Sequence, residues 1–287
     1  MILGNDREAV IENIRYAAES RDFYAKVELS DPVLSDREKK EVTDRYLKSR
    51  NSVPYRTKRF FARRIADFAT RRINRDTEIV GEELLPASGG VIFTSNHFGP
   101  LENTVIRHLL STQGRNRLNV VSQVTNFAMT GPIGFLMNYA DTVPLGEEPR
   151  YLARDLVSVL REKLAAGESV LIYPEQEMWF NYRKSRPPKP GAYHFAAKLN
   201  APVVSCFVEM VDLSEKDTEE FYRVKYRLHV LGTLYPDPAK SLRENTNALA
   251  ERDYELKKEA YERIYRKPLT YDFDPTDIAG WQRGYES

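Results

Sequence analysis

From residue 78 onward, short apolar runs alternate with amphipathic stretches in the pattern of strands separated by helices. EIVGEELLP (78–86), GGVIFTSN (89–96), LNVVSQV (118–124), SVLIYPEQ (169–176) and APVVSCFVEMV (201–211) read as strands, the last two as buried ones. YRVKYRLHVLGTLYP (222–236) alternates polar and apolar positions, as a half-buried strand does. LENTVIRHLLSTQ (101–113), PRYLARDLVSVLREKLAAG (149–167) and GAYHFAAKLN (191–200) carry helical periodicity, and Gly167 closes the second of them. GPIGFLMNYA (131–140) reads as helix or loop leading into DTVPL (141–145), and residues 242–265 make a long charged helix. Such alternation predicts an α/β fold, with a central, mostly parallel sheet flanked by helices.

The first 77 residues have a different texture, so the chain divides into an N-terminal helical segment, 1–77, and a domain over 78–287. Ile11, Ile14, Tyr16, Phe23 and Tyr24 punctuate polar, helical sequence, and Pro32 breaks it. Ser35 followed by Glu38 is a capping-box start for the next helix. Over 55–75, Phe61, Ile65, Phe68, Ala69 and Ile73 recur at helical spacing while arginines fill much of the remaining face. The aromatic end, YDFDPTDIAGWQRGYES (271–287), is expected to pack on the domain surface.

Composition narrows the class. A content of 41% hydrophobic and 30% charged residues describes a globular chain and excludes a disordered one. One cysteine, Cys206, excludes an internal disulfide and fits a reducing compartment. The N-terminus acquires charge at once, so no secretory leader is expected, and no apolar run nears the ~20 residues that span a bilayer. A net charge of +1 conceals a block at 56–75 in which eight Lys or Arg face one acid, Asp67. That concentration points to an anionic partner.

The candidate chemistry lies in VIFTSNHFGPLEN (91–103), where His97 ends a strand and Glu102 follows five residues later. Residues five apart are poorly aligned on a straight helix. Gly99 and Pro100 supply a turn; with Gly99 as N-cap, Pro100 opens the helix and Glu102 falls at its third position, pointing back towards His97. A histidine whose second nitrogen donates to a carboxylate is a better-positioned proton acceptor. No GxSxG is present and Cys206 sits in an apolar strand, so direct attack by a substrate hydroxyl suits the pair better than a covalent nucleophile. No HExxH or paired Cys/His spacing supports a metal, and none is expected. His108, His194 and His229 read as structural, and Trp179 as packing.

A second stretch, 169–210, carries Tyr173, Pro174 and Glu175 at a strand end, then Arg183, Lys184, Arg186 and Lys189. Together the two stretches resemble the glycerolipid and lysophospholipid acyltransferase superfamily, that of the bacterial 1-acylglycerol-3-phosphate acyltransferases. Asn96, His97 and Glu102 match its NH-x4-D or NH-x4-E motif. Tyr173, Pro174 and Glu175 match part of its [FY]PEG[ST]R motif, and Lys189, Gly191, Phe195, Ala196 and APVVS match the helix and strand that follow. The resemblance covers about 78–232. It implies acyl transfer from acyl-CoA or acyl-carrier protein, as co-substrate and not cofactor, to a hydroxyl of a lysophospholipid or other lipid-like acceptor. It also implies that His97 is the general base and Glu102 its orienter.

The departures concern the acceptor. Gln176, Glu177 and Met178 stand where the family has Gly, Ser or Thr, and Arg, and Leu145 stands where its middle motif has arginine. HFGPLE also resembles the HFGNWE of late lipid A acyltransferases. Glu175, Arg150, Arg183, Lys184 and Arg186 are therefore the expected acceptor-binding residues, with a phosphate held by the last three or an acceptor that is not a simple glycerol phosphate. The Arg-rich helix suits an anionic membrane surface through Phe60, Phe61, Arg63, Arg64, Phe68, Arg71 and Arg72, and similar bacterial enzymes have an N-terminal helical pair on the membrane. The expected location is cytoplasmic, peripheral on the inner membrane face, with no nucleic-acid partner. The alternative is a family member whose altered second motif leaves a lipid-binding or scaffold protein.

Overall fold

The computed structural model of the chain describes residues 6–29, 32–115 and 117–282. Residues 1–5, on which the expectation of no leader rests, and the last five residues of the aromatic tail lie outside the described residues. Among the described residues the helices are α1 (Arg7–Glu19), α2 (Asp36–Ser49), α3 (Val53–Ile73), α4 (Asn103–Thr112), α5 (Gly131–Tyr139), α6 (Val157–Ala165), α7 (Gly191–Leu199) and α8 (Leu242–Tyr265). The strands are β1 (Glu78–Val80), β2 (Ile92–Thr94), β3 (Leu118–Gln123), β4 (Thr142–Leu145), β5 (Ser169–Leu171), β6 (Val203–Lys216) and β7 (Tyr222–Leu234). They form one seven-stranded sheet in the order β1-β7-β6-β2-β5-β3-β4. Every neighbouring pair is parallel except the β6–β7 hairpin. The α/β architecture expected from the alternation is thus observed.

Period-two alternation sorts the strand residues between two cores. Val91, Phe93, Leu171, Val204, Cys206 and Val208 face α4, where Val105, Ile106 and Leu109 meet them. Ile92, Val170, Ile172 and Val203 face the other way, against Leu160 of α6 and Tyr193 and Ala196 of α7. The expected start at Ser35 with Glu38 is real and opens α2 as a full capping box; Ser241 with Glu244 does the same for α8. A π-helical turn, Tyr151–Leu156, leads into α6, so the expected 149–167 helix is irregular in its first part.

The tail differs from expectation. It does not merely lie on the surface: Ile278 and Ala279 are fully buried, with Tyr182 bridging to Ile278 and Phe221 to Trp281. With α1 (Val10, Ile11, Ile14) and the loop residues Trp179, Phe180 and Tyr182 it builds a third core. The apolar character of the tail comes from this burial, which ties both ends of the described chain to the loop after β5.

The basic helix α3 departs from expectation at Arg63 alone among the residues assigned to a membrane. Its apolar stripe does not meet the core: Phe60 (53%), Phe61 (57%), Ile65 (49%) and Phe68 (70%) are exposed. Tyr55, Ala62 and Thr70 are the buried side. Arg63, expected to meet a membrane, faces inward, its Nε and Nη2 each 2.6 Å from the buried Asp141 carboxylate. The Asp141 carboxylate, at the turn between α5 and β4, would otherwise be a buried charge without a partner, and pairing offsets that cost. Arg64, Arg71 and Arg72 are exposed, Arg64 lying over the Phe60 ring.

Candidate active site

Strands β2 and β5 are parallel neighbours, with Phe93 opposite Leu171, so the loops that follow them leave the sheet on the same side. That places the stretch after Thr94 beside the stretch after Leu171, at the carboxyl ends of the strands, where open α/β sheets hold ligands. Asn96 fixes the first loop. Its side chain takes the N–H of Val208 at 2.8 Å and donates to the same residue's carbonyl at 3.1 Å, extending the β2–β6 ladder past its last paired residue.

His97 comes next, and its Nδ1 bonds the Glu102 Oε1. The other oxygen of Glu102 accepts the backbone N–H of Phe98 at 2.5 Å and of Gly99 at 2.7 Å. The closure expected from the Gly-Pro turn is present, but by a different route. Regular helix begins only at Asn103, so Glu102 is its N-cap residue and not its third position. Pro100 lies in the turn ahead of the helix. Gly99 has no positive φ, and nothing lies within 4 Å of where its Cβ would be. Glycine here leaves space beside the pair instead of supplying an unusual backbone angle.

The second loop brings Tyr173 onto the histidine. The two rings stack with centroids 4.1 Å apart and planes 7° apart. Burial, and after it the neighbouring Glu102 carboxylate, hold the Tyr173 hydroxyl well above its ordinary pKa, so it stays protonated. Among the described residues no hydrogen bond is made to His97 Nε2. In the tautomer that donates Nδ1–H to Glu102, Nε2 carries a lone pair.

Glu175 is buried, and both its oxygens are engaged within the protein. Oε2 accepts the backbone N–H of His97 at 3.2 Å and the Arg186 Nε at 3.2 Å, while Oε1 accepts the Arg186 N–H at 3.1 Å. It ties the two strand-end loops together. Arg186, fully buried, also donates to the carbonyls of Phe23 (2.8 Å) and Glu177 and stacks on Trp179. Burial holds its pKa below the ordinary guanidinium value, with Glu175 opposing. The backbone N–H of Trp179 donates to the His97 carbonyl at 3.0 Å and that of Asn181 to the Phe98 carbonyl at 2.9 Å, locking the loop from 179 to 182 onto the His97 loop. Trp179 is packing, as expected.

The other basic candidates are likewise turned inward. Arg183 binds the Asp212 carboxylate and the Met210 and Thr276 carbonyls. Lys184 lies 2.6 Å from Asp277 and donates to the Asp272 carbonyl at 2.8 Å. Arg150 sits beyond β4 at the sheet edge, two strands past β5, and the structure does not bring it to His97. So the geometry unites His97, Glu102, Asn96, Tyr173, Glu175 and Arg186, and assigns the cations to scaffolding. Sequence reading missed Asp212 and Asp277, which lie 29 and 93 residues from their partners with no local signal. A cavity of ≈300 Å³ lined by Arg183, Asp212, Tyr261, Tyr265 and Trp281 belongs to this tail region and does not include His97. No group of three or more potential metal ligands occurs among the described residues.

Residues 76–209, which include the His97–Glu102 pair, match the family model described as Acyltransferase. The protein is an acyltransferase. The matched region lies within the stretch whose motifs resemble the glycerolipid acyltransferases. Its fold is similar to that of the 1-acyl-sn-glycerophosphate (LPA) acyltransferase PlsC from Thermotoga maritima, with a TM-score of 0.53 and 16% identity over 82% of this chain and 96% of that one. No curated protein sequence matches this chain.

Proposed function

We propose that the protein transfers a fatty acyl group from acyl-CoA or acyl-carrier protein to a hydroxyl of a lysophospholipid or other lipid-like acceptor. The observation that carries the reading is the His97–Glu102 pair, closed by two backbone amides that fix the carboxylate. His97 Nε2 takes the proton of the acceptor hydroxyl as its oxygen attacks the thioester carbonyl. Glu102 holds the tautomer and stabilises the imidazolium. Collapse of the tetrahedral intermediate breaks the C–S bond, and the imidazolium proton goes to the departing thiolate. Tyr173, stacked on the ring, sets its plane.

The reading places the enzyme on the cytoplasmic face of an anionic membrane, with 1–77 as the membrane-associating segment of a 78–287 acyltransferase domain. What supports it is the outward apolar face of α3 flanked by exposed arginines. No described helix is long and apolar enough to cross a membrane. The test is His97→Ala assayed with labelled donor and a panel of lipid acceptors. Expected is a fall in kcat of about 10²–10⁴-fold with an unchanged circular-dichroism spectrum. Undiminished transfer by the variant would remove the mechanism.

A further inference from the structure

Leu118 to Ala140 carries no Asp, Glu, Lys, Arg or His, the longest such run in a chain that is 30% charged. Its first part is the largely buried strand β3, where neutrality needs no further account. The rest, a 3-10 turn over Val124–Ala128 and then α5, comes to the surface. Thr130 to Ile133 are exposed, Ile133 at 53%, and Met129, Leu136 and Met137 are half-buried. A surface helix ordinarily turns charged residues outward; α5 has none. Nor is the segment a loose loop. The Asn138 side chain donates to the carbonyls of Phe127 at 3.1 Å and Gly134 at 2.8 Å. A Cβ at Gly134 would clash with the Met129 carbonyl oxygen, so turn and helix are closed on each other.

The segment leaves β3 at the end of the sheet where the loops after β2 and β5 also emerge, since the three strands are parallel neighbours. It then borders the exposed stripe of α3. Lys58 lies one turn before Phe61, at the edge of that stripe. Its Nζ donates to the Tyr139 hydroxyl at 3.3 Å, and the Tyr139 ring packs on Tyr55 and on Phe135. Helix α5 therefore meets α3 at the protein surface. Its Ile133, Leu136 and Met137 share one face at helical spacing. Hydrocarbon admits such a face, because an ionised side chain there is expensive. A nine-residue helix is too short to cross a bilayer, but it can lie in the interface while the arginines of α3 stay at the headgroups. We propose that Met129–Met137 is a second membrane-inserting element, dipping into the bilayer beside α3 and bringing the membrane to the end of the sheet that carries His97. This rests on the membrane reading of α3 above.

The experiment uses the full chain and vesicles of phosphatidylcholine and phosphatidylglycerol. Ile133→Trp puts a reporter on the segment, since the native Trp179 and Trp281 are buried. With bromine on the lipid acyl chains, the emission of vesicle-bound Ile133→Trp is expected to fall well beyond that of wild type. Ile133→Ser is expected to lower partitioning about tenfold, equally at low and high salt, with the thermal midpoint retained. Vesicle-bound Ile133→Trp quenched no more than wild type overturns this inference alone, as does an Ile133→Ser variant that partitions as wild type does. If that serine variant also loses a self-associated form in sedimentation, the face belongs to a second copy of the chain and the inference falls. Wild type that does not bind the vesicles overturns the membrane reading and this inference with it.

Discussion

Glu102 has two oxygens and three donors aimed at them: His97 Nδ1 and the amides of Phe98 and Gly99. Hydrogen bonds to a charged acceptor contribute about 1.5–3 kcal/mol each, so this carboxylate organises the loop as well as the imidazole. Glu102→Gln keeps one carbonyl oxygen for these donors and turns an NH2 towards the rest. Steady-state kinetics should show kcat down by about 10²-fold and chemical denaturation a loss of about 1–3 kcal/mol. A variant with wild-type kcat would mean the carboxylate does not orient the base. Lys184→Met tests the scaffold separately. It strands Asp277, whose carboxyl burial already pushes up in pKa against the pull of Lys184, and should cost about 3–5 kcal/mol in urea unfolding. At this scale the His97–Glu102 contact was legible because the two lie in one short loop with a turn between them. The fate of Arg183, Lys184 and Arg186 was not, because a basic loop residue reads the same whether its carboxylate belongs to a substrate or to a distant segment of the chain.

Elements were legible where one face is buried and obscure where both faces have uses. Helix α8 begins and ends where the charged periodicity put it, since Leu249, Asp253, Lys257, Ala260 and Tyr261 repeat on its inner side. Helix α3 was equally clear as a helix, but its orientation was not. Spacing marked the Phe61–Ile65–Phe68 stripe, which the structure leaves exposed, but not the inner side, where Tyr55, Ala62 and Thr70 are buried and Arg63 pairs with Asp141. Strand β1 shows how charge secures a three-residue edge. Glu78 lies 2.6 Å from both Lys225 and Arg227 of β7, and these hydrogen bonds lower its pKa from 4.5 to about 2. A carboxyl held lower in the folded state stabilises above its unfolded value, and that stability fades as pH falls from about 4.5 through about 2. The difference in thermal midpoint between wild type and Glu78→Gln should therefore be present at pH 7 and close over that window. Because the pair is exposed, the difference should be small; its persistence at pH 2 would assign it to packing instead.

In the whole molecule, α3 joins the proposed membrane surface to the loop of His97 and Glu102. Its inner side packs on α4 and α5, and Asn74, just past its end, donates to Thr104 at 2.9 Å, two residues beyond Glu102. A bilayer held by the outer side would thus lie a helix's width from the loop that carries the base. Inserting the exposed phenylalanines should contribute about 1.5–3 kcal/mol per ring, and each headgroup-facing arginine about 1 kcal/mol. The two faces of the helix separate the effects. Phe61→Ser with Phe68→Ser should lower partitioning onto anionic vesicles by about 100-fold or more, at about tenfold per 1.4 kcal/mol, without lowering the thermal midpoint. Arg63→Gln should do the reverse, leaving partitioning near wild type and destabilising the fold, because it uncovers the buried Asp141. Raising salt should weaken the arginine contribution and spare the aromatic one. If the double serine variant partitions as wild type does while Arg63→Gln does not, the membrane lies against another face, and the exposed stripe of α3 needs a different partner.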